Sequence, residues 1–156
     1  MRGKRAPKRK IQPDLKDRNT QVAKLINYIM RMGKKSVAQK VVYRAFNLIK
    51  EKTNKEPVEI LEAALKNISP TLEVRSRRVG GANYQIPVPV RSERKLALAF
   101  RWMLEAANSK KGKPMHEKLA NELISASSGE GDAVKKKNDV QKMAEANRAF
   151  AHFARF

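Results

Sequence analysis

Apolar residues recur at helical spacing through most of this chain, and in one place the recurrence gives way to alternation. Val22, Leu25, Ile26 and Ile29 share one face of a helix beginning near Thr20, with Gly33 where a left-handed helix terminus favours glycine. Ser36 can cap a second helix, reaching about Lys52, whose Val37, Val41, Ala45, Leu48 and Ile49 lie together. Pro57 suits the first turn of a third, with Val58, Leu61, Ala64, Leu65 and Ile68 inward, and Pro70 helps to end it. A fourth, capped by Ser92, is apolar on nearly every side through Leu96, Leu98, Phe100, Trp102, Met103 and Leu104, which predicts the centre of a bundle. After a break at Lys110 to Pro114, a fifth covers about Met115 to Ser127 around Leu119, Leu123 and Ile124, with Gly129 beyond its end. Asp132 can cap a sixth, running from about Ala133 towards Phe153. Nothing repeats at a fixed period, which argues against a solenoid.

Between the third and fourth helices, residues 72–90 read as strand, turn, strand. A two-residue turn at Gly80-Gly81 would split the apolar set between two faces. A three-residue loop of Gly80, Gly81 and Ala82 instead pairs Leu72 with Val90, Val74 with Val88, Ser76 with Ile86 and Arg78 with Tyr84, and this register is expected. It sets Arg75 and Arg77 on the other face beside Pro87 and Gln85. Pro87 and Pro89 lack donors and close one lateral edge to further pairing, so the hairpin reads as an isolated arm. A free hairpin is marginal, and a helix has to support its base.

Charge then changes the picture. Lys and Arg number 35 against 15 Asp and Glu, a formal net charge of +20 over 156 residues. Self-repulsion of that size is best explained by a polyanionic partner. The first ten residues, with Arg2, Lys4, Arg5, Lys8, Arg9 and Lys10, contain no acid, and residues 1–18 are expected to form a flexible basic arm ahead of one helical domain, 19–156. Arg75, Arg77 and Arg78 converge beside the glycine turn, where Gly80 and Gly81 let a nucleic-acid backbone come close. Lys34 and Lys35 lie between two helices, equally readable as phosphate contacts or as a solvated loop. Lys135, Lys136 and Lys137 oppose the dipole in the first turn of their helix unless an anion docks there or Glu130, Asp132 and Asp139 compensate. Arg94 and Arg101 could form a stripe on the fourth helix. Tyr84, Phe153 and Phe156 are the candidates for base stacking.

Other classes find little support. No cysteine is present, which excludes disulfides, thiolate-held zinc and thiol nucleophiles and fits a cytosol-like compartment. There is no phosphate-binding glycine loop and no paired-histidine metal helix, and His116 and His152 lack ligand spacing. No apolar run suggests a membrane span, and no enzyme, cofactor, metal or small-molecule substrate is expected.

Gly33-Lys-Lys35 with Val41-Val-Tyr-Arg-Ala45, the segment Glu73 to Val88, and Ala133-Val-Lys-Lys-Lys137 with Met143-Ala-Glu-Ala-Asn-Arg-Ala-Phe150 together resemble the bacterial-type small-subunit ribosomal proteins of the family numbered seven. The resemblance covers almost the whole chain, with Pro89 standing where an acid is expected and a tail ending Phe-Ala-Arg-Phe. It implies a mainly α fold: about six helices in a bundle, one protruding two-stranded antiparallel β-hairpin and a disordered basic N-terminal arm. It also implies a non-enzymatic constituent of the cytoplasmic small ribosomal subunit, or of an organellar one, that binds the 3′ major domain of 16S rRNA and nucleates head assembly. Implied partners are 16S rRNA, exit-site tRNA, mRNA and the small-subunit proteins numbered nine and eleven. The candidate rRNA-binding set comprises the arm cations together with Lys34, Lys35, Arg75, Arg77, Arg78, Arg94, Lys135, Lys136, Lys137 and Arg148. The hairpin tip near tRNA and mRNA comprises Arg78, Gly80, Gly81, Ala82, Asn83 and Tyr84. From the residues alone, a DNA-bending architectural protein with basic β-arms is the alternative.

Overall fold

The computed structural model describes residues 3, 6 and 10–155. Its elements follow in the order α1 (Thr20–Ile29), α2 (Lys35–Thr53), α3 (Pro57–Ile68), β1 (Leu72–Val79), β2 (Ala82–Pro89), α4 (Ser92–Ser109), α5 (Met115–Ser127), α6 (Asp132–Ala146) and a 3-10 helix (Arg148–Arg155). The expected class, a mainly helical bundle with one antiparallel hairpin, is what forms. Among the described residues no helix is long and apolar enough to cross a membrane.

The core gathers around α4. Phe100 and Met103 are fully buried against Leu25 and Ile26 of α1, Ile49 of α2, Leu61 and Ile68 of α3, and Leu119 and Leu123 of α5. Side chains of this kind stabilise by about 1.5–3 kcal/mol each when removed from water, against the entropy of ordering them. Pro57 takes the first position of α3, and α5 has the predicted bounds.

Four local expectations are corrected. The buried face of α2 is Ala38, Val42, Ala45, Phe46 and Ile49, while Val37 is 54% exposed and Val41 and Leu48 are half-buried. Two overlapping apolar stripes fit that sequence, and packing selects the one carrying Phe46. Ser36 and Ser92 lie inside the first turns of their helices, not at the caps, and neither makes a capping bond. Asp132 is likewise inside α6, and Gly131 holds the cap position at φ +100°. A Cβ there would stand 2.9 Å from Oε1 of Glu122, so glycine is required both by the angle and by the neighbour. Finally, the last helix does not run unbroken to Phe153 but tightens to 3-10 geometry after Asn147.

Residues 14–18, expected as linker, meet α2 through Asp14 and Lys16. Asp14 is 6% exposed, and its carboxylate accepts the hydroxyl of Tyr43 at 2.9 and 3.0 Å and the backbone N–H of Lys16 at 3.1 Å. Burial, the bond to Asp14 and the nearby carboxylates of Asp14 and Asp17 push Tyr43 up to about 12. Asn19 then caps α1, its side chain accepting the N–H of Gln21 at 2.7 Å.

The hairpin register is also corrected. Leu72 pairs with Pro89, Val74 with Pro87, Arg75 with Ile86, Arg77 with Tyr84 and Val79 with Ala82, leaving Gly80-Gly81 as a two-residue turn. Both glycines have positive φ, +57° and +94°, the type I′ geometry whose twist matches the strands. The objection to this register was that it splits the apolar residues. It does, and both halves are covered: the neighbours Ile86 and Pro87 face opposite sides and both are buried. Val90 donates to the carbonyl of Thr71 at 3.0 Å, so the alternation places Pro87 and Pro89 at rungs where no strand-to-strand N–H is needed.

Candidate nucleic-acid interface

The register decides where the hairpin arginines point. Arg75 and Arg77 share a face with Tyr84 and Ile86, whereas Arg78, opposite Asn83, projects from the other face. The three therefore do not converge; they charge both sides of the ribbon. All three are exposed.

Glu73 organises the base of the hairpin. Its carboxylate, on a residue 7% exposed, pairs with Arg75 through one oxygen and accepts Nε of Arg94 at 3.1 Å through the other. Burial pushes this carboxyl up, but the hydrogen bonds from Arg94 and Arg75 and their charges outweigh it and hold it below the ordinary glutamate range. The two guanidiniums are fixed in place between β1 and the first turn of α4, and they keep unused donors.

The tail closes over the Tyr84 face. Tyr84 lies 5.2 Å from the ring of Phe150 and 5.4 Å from that of Phe153, and Nη1 of Arg77 donates to the carbonyl of Phe153 at 3.2 Å. Two of the expected stacking residues, Tyr84 and Phe153, thus stack on the protein itself. The exposed tip narrows to Gly80, Gly81, Ala82 and Asn83, with Arg78 beside it.

With α6 beginning at Asp132, one residue earlier than expected, only Lys135 reaches its first turn and Lys136 and Lys137 fall in the second, and that end is already partly satisfied. Oε1 of Glu122, fully buried in α5, accepts the N–H of Ala133 at 3.0 Å, and its other oxygen accepts Nζ of Lys110. Lys135 lies 3.5 Å from Asp132. The cluster therefore presents side-chain charge, with one first-turn amide already taken. The start of α2 differs: Lys34 and Lys35 are exposed, no acid occupies its first turn, and no side chain caps it.

A groove of 530 Å³ opens between α1, α2, α4 and α5 beside Lys34. Arg31 and Lys118, absent from the sequence-based set, line it with Arg101. Their positions are far apart along the chain, and nothing local in the sequence joins them. Glu73 and Glu122 were also missed as organisers, though each left a trace: an acid within a basic ribbon, and a carboxylate three residues from Leu119 on an apolar stripe. Arg148 and Lys10 are exposed, and Arg2, Lys4, Arg5, Lys8, Arg9 and Phe156 lie outside the described residues.

Comparison with known proteins identifies the family. Residues 1–148 match the family described as ribosomal protein S7p/S5e. A Thermotoga maritima protein named small ribosomal subunit protein uS7 is 56% identical over 153 residues, 98% of this chain and 99% of that one. Proteins of the same name from Pseudothermotoga lettingae and Moorella thermoacetica are 57% and 56% identical, covering 97% and 96% of this chain and 98% and 96% of theirs.

Proposed function

The chain belongs to the ribosomal protein S7p/S5e family, and from that premise we propose how it serves as a structural, non-enzymatic protein of the small ribosomal subunit. It binds the 3′ major domain of 16S rRNA and nucleates assembly of the head. Its hairpin tip reaches towards exit-site tRNA and mRNA, and it meets the small-subunit proteins numbered nine and eleven. The observation that carries this reading is the distribution of charge: exposed cations stand at the start of α2, on both faces of the hairpin and on the first two turns of α6, while the net charge is +20. Contacts spread over several elements suit the shape of a folded RNA, with phosphates positioning and geometry specifying.

The DNA-bending alternative loses ground on position. A wedging proline belongs near a tip, whereas Pro87 is buried at the base and Pro89 lies opposite Leu72. The test is binding of the full chain to a folded 3′ major-domain fragment of 16S rRNA and to duplex DNA at equal salt with unrelated RNA as competitor. The rRNA fragment is expected to win, and replacing Arg77 and Arg78 by alanine to reduce the salt slope by about two. Equal affinity for the two ligands overturns the reading.

A further inference from the structure

The groove beside Lys34 has a composition that the charge distribution alone does not explain. Its walls are apolar, from Ile29, Val37, Val41, Leu104 and Met115, and four cations, Arg31, Lys34, Arg101 and Lys118, surround them. None of those four side chains forms an ion pair among the described residues. Val37 and Val41 are the apolar residues of α2 that the bundle leaves over: the core uses Ala38, Val42 and Phe46 instead. Tyr28 also lines the groove. Its ring stacks on fully buried Phe100 with centroids 5.2 Å apart and planes 25° apart, yet the residue is 38% exposed. A ring fixed from behind and open in front is a stacking platform.

We propose that this groove receives one unstacked base of a single-stranded RNA segment, with the four cations holding the flanking phosphates. The proposal rests on the rRNA-binding reading above and adds to it a site for one nucleotide. Volume permits it, since 530 Å³ lies within the roughly 300–1,000 Å³ of small-ligand sites. The polar groups favour it as well. Glu105 and Asn108 line the same groove, and a carboxylate beside an amide matches the edge of a base carrying an exocyclic amino group. An acidic peptide with an apolar anchor would satisfy the cations but would oppose Glu105 and leave the Tyr28 face without a flat partner.

Binding and chemical probing of the folded 3′ major-domain fragment, with the full chain, test this. Two variants, Val37→Trp to fill the groove and Tyr28→Ala to remove the platform, are checked for retained helicity by circular dichroism. Each is expected to weaken binding about tenfold with an unchanged salt slope, because stacking is lost and phosphate contacts are not. One or two bases protected from dimethyl sulfate by the wild type should become reactive with both variants while the remaining footprint persists. The double variant Lys34→Ala with Arg101→Ala should lower the salt slope instead. If the wild type fails to bind the fragment, the rRNA reading itself falls. If the wild type binds and both folded variants give its affinity and footprint, the groove does not hold a base. The same RNA result combined with loss of a small-subunit protein from reconstituted particles would make it a protein-docking groove and also overturn the proposal.

Discussion

Oε1 of Glu122 accepts the backbone N–H of Ala133 at 3.0 Å, so α6 is capped by a side chain of α5 and not by its own flank. The same carboxylate holds Lys110, just beyond the end of α4, and thereby ties three helices at one buried point. Glu122→Ala should cost about 2–3 kcal/mol in urea unfolding. Most of this comes from the orphaned amide and the space left behind, because the Lys110 side chain, 36% exposed, can turn to water. Glu122→Gln keeps an acceptor for Ala133 and should cost less than half as much. Equal losses would place the stabilisation in the ion pair.

Glu73 gives a pH dependence with a definite sign. Its folded carboxyl titrates below the ordinary 4.5, so the unfolded chain binds the proton more readily. The contribution is present above that ordinary value and is lost as pH falls through the folded one. The difference in urea midpoint between wild type and Glu73→Gln should therefore be constant near neutrality and shrink below about pH 4.5. A difference that widens in acid would reverse the assignment.

Tyr43 runs the other way. Its folded pKa of about 12 exceeds the unfolded value of 10.0, so its contribution is whole below 10 and disappears as pH rises towards 12. An absorbance titration at alkaline pH should show a late tyrosinate component that Tyr43→Phe removes. The same variant should cost about 1–2 kcal/mol at neutral pH by leaving Asp14 without its hydroxyl donor.

The outcome for the hairpin explains how far this sequence could be read. Helical spacing, Pro57 and Gly129 located the helices closely because those signals act over one or two turns, and the basic clusters were legible as charge in the open. The register was not legible. Choosing it required knowing that Ile86 and Pro87 would both be buried, on opposite sides of the ribbon, and that Phe150 and Phe153 return from the far end of the chain to the Tyr84 side. The face of α2 failed for a related reason: Val37 and Ala38 head two stripes of similar apolarity, and only the partners across the bundle choose between them. The groove lined by Arg31, Arg101 and Lys118 is likewise a product of packing.

That return of the tail is itself testable. Deleting residues 148–156 removes both rings and the carbonyl that accepts from Arg77. Amide hydrogen exchange should quicken at Tyr84 and its strand partners, while Leu61, Phe100 and Leu123 in the bundle keep their protection. Uniform quickening would mean that the tail stabilises the whole domain.

The Glu73 clip has a mechanical meaning. Each strand spans eight residues, so the glycine turn stands about 25 Å from the base at the usual rise per residue. A sideways push on Gly80 or Gly81 therefore acts at the end of a long lever, and the resulting torque falls on the point where Arg94 joins the hairpin to α4. From there the load passes along the helix that carries Phe100, the largest fully buried side chain of the bundle. With the clip intact, the hairpin is braced at its base against α4; with Glu73 replaced, the load shifts to the tail, where Phe150 and Phe153 meet Tyr84 and the Phe153 carbonyl accepts from Arg77.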